Sequence, residues 1–343
     1  MPGINTESPM NEIVTMNHGS GGRQSHELIN KVFVTAFGMP LPLTDSAIIE
    51  DAGDTLAFTT DSYVVDPIFF PGGDIGKIAV CGTVNDLAVS GAVPRYISAS
   101  FIIEEGFPAD SLRKIAESMA VEAQKAGVKI VTGDTKVVEK GKCDQLFITT
   151  SGIGALRHDR AEISTGVNVT AGDKIIVTGS MGNHSIAVLG SRNKLSFTTP
   201  VVSDCASLNH MIKNVLEKCN NVRFMRDITR GGLSGVLNEL AGICDKGIVV
   251  DENSIPVDEA VSGACEMLGF DPLYLANEGK ILIVASPSES EEILSILMSD
   301  PLGRNSAIIG EIIREGTGVV LKTVTGGKCI IDMPSGVQLP RIC

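Results

Sequence analysis

The stretches TLAFTT (Thr55–Thr60), DIGKIAVCGTVNDLAVS (Asp74–Ser90) and YISASFII (Tyr96–Ile103) decide the fold class of this 343-residue chain. The outer two are rich in β-branched and aromatic residues and read as strands, while the middle one carries apolar residues at helical spacing. The alternation continues outward, with a helix over Ala109–Ala126 and a strand over Leu146–Ser151. A turn-rich break follows at Arg157–Gly172. Beyond it, strands are expected at Asp173–Thr178, Gly247–Val250 and Lys280–Ala285, with helices at Ser203–Leu216, Gly231–Cys244, Pro256–Leu268 and Ser288–Ser299. This is not the strict βαβ rhythm of a parallel sheet. Each half offers a sheet with helices to cover it, which is an α+β chain too long for one ordinary core.

Three parts are expected: residues 1–160, residues 161–331 and a tail, 332–343. The tail, DMPSGVQLPRIC, holds Pro334, Gly336 and Pro340, cannot continue a helix, and reads as an extended mobile arm. At roughly 3.3–3.6 Å per residue, about ten residues of such an arm span on the order of 35 Å.

Apolar residues are 43% of the chain and charged residues 20%, the profile of a folded protein. The net charge of −13 disfavours nucleic acid and anionic membranes as partners. Met1–Asn11 lacks the apolar core of an export signal and no run is long enough to span a bilayer, so a cytoplasmic protein is expected. The eight cysteines are scattered without a CxxC pair, which argues against zinc ribbons and disulfide frameworks.

Five segments carry chemistry. His18-Gly19-Ser20-Gly21-Gly22 suits a loop whose backbone N–H groups curl around an anion, although a flexible linker has the same composition. No P-loop or dinucleotide fingerprint accompanies it. Asp61, Asp86 and Asp134 are isolated acids in apolar surroundings. Each alone reads as a cap or turn; together they suit a shared divalent metal holding a triphosphate. Asp227 and Thr229 lie in RDITRGGL, before a helix, where a phosphate contact and an ordinary N-cap are both reasonable. Glu278 lies in NEGK before a strand and Lys136 in GDTK, each also readable as a solvated surface residue. Cys343 is the last residue, and a thiol on a mobile arm is what covalent carriage of a reactive group requires.

HGSGG, Thr59–Lys77 (TTDSYVVDPIFFPGGDIGK), Cys81–Tyr96 (CGTVNDLAVSGAVPRY), VTGDTKVV, RDITRGGL, LANEGK and the terminal PRIC together resemble the HypE family of hydrogenase maturation proteins, from about His18 to Cys343. That family sits in the superfamily of aminoimidazole ribonucleotide synthetase, selenophosphate synthetase and thiamine monophosphate kinase. The resemblance implies two αβ domains, with mixed or antiparallel sheets covered by helices, and N-terminal domains paired in a homodimer. It implies ATP and Mg²⁺ as cofactors, with Asp61, Asp86 and Asp134 as metal and nucleotide ligands and His18–Gly22 over the phosphates. It implies an ATP-dependent carbamoyl dehydratase that converts an S-carbamoyl group on its own Cys343 to a thiocyanate, the source of cyanide for [NiFe]-hydrogenase. Glu278 and Lys136 then assist proton removal. A HypF-like carbamoyltransferase and a HypC–HypD-like iron carrier are the implied partners. A small-molecule kinase or synthetase of the same superfamily and a non-catalytic scaffold are the competing readings. The kinase or synthetase has no need of a C-terminal cysteine arm, and the scaffold would dock a metal-insertion partner through its tail.

Overall fold

A computed structural model describes residues 17, 22–34, 42–51, 54–195, 199–336 and 339–343. The first unit is a five-stranded sheet in the order β1-β2-β7-β5-β6. Its strands are β1 (Ala47–Asp51), β2 (Asp54–Tyr63), β5 (Ala92–Glu104), β6 (Lys129–Val138) and β7 (Leu146–Leu156). A two-stranded ribbon, β3 (Phe69–Phe70) with β4 (Gly73–Asp74), precedes the main helix. The short α1 (Arg23–Leu28) lies N-terminal to all of these.

Helix α2 (Ile75–Val89) is buried at every position except Lys77 and Asp86. It is apolar all round because it packs on the sheet, on α3 (Ala109–Ala126) and on the second unit at once. Its start is fixed by Asp74, whose carboxylate accepts from the Gly76 and Lys77 amides at 2.8 and 3.1 Å. The opposite face of the sheet is open. Phe58, Tyr96 and Ile153 lie in one row across it, and all three are exposed. The edge strand β6 is exposed almost throughout, including Val131 and Val137.

The second unit is a seven-stranded sheet in the order β14-β13-β10-β12-β8-β11-β9. Its strands are β8 (Lys174–Val177), β9 (Val222–Asp227), β10 (Gly247–Asp251), β11 (Ile281–Ala285), β12 (Ala307–Ile313), β13 (Gly318–Lys322) and β14 (Lys328–Ile331). The sheet is mixed, since β10 pairs parallel with β13 while its other partner is antiparallel. Helix α6 (Gly232–Cys244) covers one face through Leu233, Leu237 and Leu240, packed on Phe224 and Leu282. The other face is covered by α5 (Asn209–Lys218) and α8 (Ser290–Ser299), through Met211, Val215, Ile293 and Leu297. Two further helices, α4 (Asn183–Arg192) and α7 (Glu259–Leu268), pack together at the boundary with the first unit.

The elements read from sequence are found, with local shifts. The strand of Asp61 continues to Tyr63, and Asp134 lies inside β6 rather than at its end. The helix expected from Ser203 begins only at Asn209, because the Leu208 amide donates to the Asn85 side chain at 2.8 Å and holds the preceding segment as a loop. Helix α4 has no counterpart in the sequence reading.

Candidate active site

Where α2, the ends of β2 and β9 and the last residues of the chain meet, the two units enclose a cavity of about 1000 Å³. Its floor is acidic. Asp61 comes from β2, Asp86 from the one polar turn of α2, Asp227 from the end of β9, and Asp45 from the segment before β1. Asp86 accepts a 2.7 Å hydrogen bond from Thr59, and Asp61 accepts one from the Tyr63 hydroxyl at 3.2 Å. Arg226 supplies the local counter-charge, 3.0 Å from Asp45 and 3.2 Å from Glu239.

Together with Arg230, which acts on Asp61, it still leaves two cations against four carboxylates. Burial, then the charges of Asp61 and Asp227, lifts Asp86 well above the carboxylate range. Burial also lifts Asp45 well above it, against the pull of Arg226. Asp227 is pushed up to about 6 by burial and by Asp61. One oxygen of Asp45 has no hydrogen-bond partner among the described residues. An unsatisfied buried oxygen and mutual repulsion are what a divalent cation relieves, so the residues fit one. No three metal-binding side chains among the described residues converge on one point. A cation here would draw the rest of its oxygen shell from a ligand such as a polyphosphate.

One wall of the cavity is the turn Asn277-Glu278-Gly279. Asn277 is fully buried and pins it, accepting from the Gly182 amide at 2.8 Å and donating to the carbonyls of Ile228 and Leu275 at 3.1 and 3.2 Å. Asp204 accepts from the amides of Glu278 and Gly279. Only glycine fits at 279, because a Cβ there would run into the Asp204 carbonyl. The pinned turn holds the Glu278 side chain buried, with Oε1 unpartnered among the described residues. Burial, followed by the charges of Asp227 and Asp204, raises its proton affinity well above the usual range. This is not a solvated turn residue.

Cys343 closes the cavity. Its thiol is raised to about 12 by burial and by Glu278, with Arg230 opposing. The proton affinity of Arg230 is raised in turn, by the charge Cys343 would carry if ionised and then by Asp61 and Glu278. Tyr63 lines the same space, and Gly82 is glycine because a Cβ would strike the Tyr63 hydroxyl.

Of the residues singled out from sequence, Cys343, Glu278, Asp61, Asp86, Asp227 and Thr229 come together, with Thr229 donating to Asp227 at 3.4 Å. Gly22 is buried beside the root of the arm, where the Arg23 amide donates to the Pro334 carbonyl at 3.1 Å. His18, Gly19, Ser20 and Gly21 lie outside the described residues. Within one chain, Asp134 and Lys136 are not brought into this cleft. They lie on β6, paired with each other at 3.1 Å and largely exposed. Three strand spacings separate β6 from β2, roughly 14 Å, so Asp134 cannot share an ion with Asp61 within one chain. Sequence reasoning missed Asp45, Arg230, Tyr63 and Asp204. Arg230 lay in view inside RDITRGGL, where its burial was the missing signal.

Two sheet-and-helix units meeting at an acidic cleft define a two-domain protein of the AIR synthase-related type. The N-terminal domain model of that family matches residues 43–156, and its C-terminal domain model matches residues 170–322. The carbamoyl dehydratase HypE of Rhodobacter capsulatus is 48% identical over 338 residues, covering 97% of this chain and 98% of that protein. A solved HypE–HypF complex is similar with a TM-score of 0.85 at 45% identity, over 90% of this chain and 99% of that one. A HypE structure in complex with ATP is similar with a TM-score of 0.82 at 45% identity, over 96% of this chain and all of that one. The chain belongs to the HypE family of carbamoyl dehydratases.

Proposed function

We propose that this protein dehydrates an S-carbamoyl group on its own Cys343 to a thiocyanate at the expense of ATP, supplying the cyano ligand for the iron of [NiFe]-hydrogenase. One observation carries the reading. The terminal thiol is seated beside a buried carboxyl, Glu278, and a buried guanidinium, Arg230, at the edge of four repelling carboxylates. A small-molecule kinase of the same fold has no use for its own last residue in the cleft.

An amide oxygen leaves poorly, and bound ATP supplies the phosphoryl group that makes it a leaving group. Asp61, Asp86 and Asp227 are the residues to hold Mg²⁺ against that nucleotide, and the Gly-rich segment ending at Gly22 is the candidate phosphate loop. Arg230 stabilises negative charge developing on the carbamoyl oxygen. One N–H proton is lost as the carbamoyl oxygen takes the phosphoryl group, and Glu278 accepts the remaining one as phosphate departs; a carboxylate of high proton affinity is a strong base once it enters the step ionised, which Arg230 and a neighbouring cation favour. Seating the arm makes the step unimolecular.

Asp134 and Lys136 are proposed to act from a second copy. The open face of the first sheet, with Phe58, Tyr96 and Ile153, and the bare edge β6 support a homodimer in which each β6 reaches the other cleft. Lys136 would then orient the carbamoyl oxygen. A HypF-like carbamoyltransferase loads the arm and a HypC–HypD-like iron carrier receives the product. A cytoplasmic location is in keeping with the absence, among the described residues, of any helix long and apolar enough to cross a membrane. The test is maturation in cells lacking the endogenous activity. The wild-type chain restores active hydrogenase; Cys343→Ser, folded and still binding ATP, restores none, and restored activity would sink the proposal.

A further inference from the structure

The last four residues are gripped by their main chain. Arg192, the final residue of α4, donates from Nη1 to the Pro340 carbonyl at 2.8 Å and from Nη2 to the Arg341 carbonyl at 2.7 Å. Its Nε donates at 2.7 Å to the carbonyl of Asp66, in the segment after β2 along which the arm lies. His184, two turns earlier on the same helix, meets the Ile342 carbonyl with Nε2 at 2.7 Å. A carbonyl only accepts, so Nε2 carries the proton, and Nδ1 faces the Ser203 hydroxyl at 2.8 Å. The ring is fully buried and its tilt is fixed by an edge-on contact with Phe70. The Val64 amide donates to an oxygen of the Cys343 terminal carboxylate at 3.1 Å and the Asp66 amide to the Arg341 carbonyl at 3.2 Å, in the antiparallel sense. The carbonyls of Pro340, Arg341 and Ile342 and the terminal carboxylate therefore each have a donor, although Arg341 must adopt a left-handed conformation (φ 50°) to allow it.

We propose that helix α4 is the receptor for the arm, with Arg192 and His184 as positioning residues that hold the Pro340–Cys343 main chain and so set how long the terminal sulfur stays in the cleft. The ligand class is an extended C-terminal peptide bound as an added strand, read through backbone acceptors. A grip of this kind does not sense the cargo, because a free, carbamoylated or cyanated sulfur leaves the same carbonyls in place. A partner that takes the arm must break contacts with both ends of α4. Arg192 cannot be replaced by lysine here, since an ammonium lacks the planar set of donors that spans three carbonyls.

The inference deepens the dehydratase reading, and its test needs neither ATP nor a carbamoyl group. The full chain is treated with a maleimide at fixed pH, and the alkylation rate of Cys343 is measured by peptide mapping against the exposed Cys329 as internal reference. In the wild type, Cys343 reacts far more slowly than Cys329. Arg192→Ala and Arg192→Lys accelerate Cys343 at least tenfold with Cys329 unchanged. His184→Leu does the same, while His184→Gln, which keeps a donor at the same reach, stays within about twofold of wild type. A wild-type Cys343 as reactive as Cys329, or a ratio unmoved by Arg192→Ala, overturns the receptor. In single-turnover dehydration the same variants lose rate in proportion to the exposed fraction, with nucleotide affinity within twofold of wild type; loss of nucleotide affinity instead would mark a merely structural role. Protection without any dehydration would leave the receptor standing and refute the catalytic reading alone.

Discussion

The two ends of the cleft differ in how completely their polar groups are satisfied. At the arm's end, the carbonyls of Pro340, Arg341 and Ile342 and the terminal carboxylate each have a donor and Ile342 is buried in the core. At the acidic end, burial raises the proton affinity of four carboxylates, neighbouring carboxylate charges add to it at Asp45, Asp86 and Asp227, and Asp45 keeps an oxygen without a partner among the described residues. The first end is finished as a piece of protein. The second is strained until something positive and something phosphorylated complete it, and an unsatisfied buried polar atom costs about 1–3 kcal/mol until then. Stability is given up where chemistry is done and recovered where the reactant is held.

The contrast reaches the thiol. Seated, Cys343 is held protonated with its pKa raised to about 12, so it is a poor nucleophile at neutral pH. A place that suits dehydration of a loaded sulfur is hostile to loading it, which requires the arm to swing out first.

Four experiments sharpen this contrast. The largest effect is expected at Glu278, on the wall between the two ends. Glu278→Gln keeps the shape and removes the base, so dehydration slows by about 10²–10⁴-fold with nucleotide still bound; a normal single-turnover rate would remove Glu278 from the proton path. Next is Asp86→Asn, expected to weaken Mg·ATP binding at least ~10-fold by calorimetry, since the change removes a charged oxygen from the candidate metal site. The same substitution relieves repulsion, so the metal-free variant melts about 1–2 °C higher for each ~1 kcal/mol regained in a chain of this size. A lower melting point would contradict the reading of that end as strained.

The smallest effect is a pH dependence. Asp227 has a folded-state pKa of about 6, above its unfolded value, so its ionised form penalises the fold. The penalty is fully present above about pH 6 and fades as the pH falls toward the unfolded value near ~4. In metal-free protein, Asp227→Asn should therefore melt higher than wild type at pH 7.5, and the gap should narrow below about pH 6 and close only as the pH nears ~4. A gap independent of pH would show that the charge of Asp227 is not what separates them.

Much of the acidic end was legible because isolated acids in apolar runs stand out. Asp86 is the single carboxylate of a buried helix, and the cleft is where it points. The β-branched strands and α2 and α3 were equally open to reading, since their periodicity is strong. The arm's end was not. Backbone recognition leaves no signature in side-chain types, and the two side chains that perform it, His184 and Arg192, sit on a short, largely buried helix without amphipathic contrast. Asp134 misled for the opposite reason. Its neighbourhood VTGDT resembles a buried strand, but β6 is an exposed edge strand set apart from the cleft.

The fate of the atoms attached to Cys343 decides whether dehydration takes place, and intact-protein mass spectrometry follows them directly. Carbamoylated chain incubated with ATP and Mg²⁺ should lose the mass of one water molecule, with the change mapped to Cys343 and absent without nucleotide. A carbamoyl group that persists through ATP turnover, or leaves whole by hydrolysis, would contradict it.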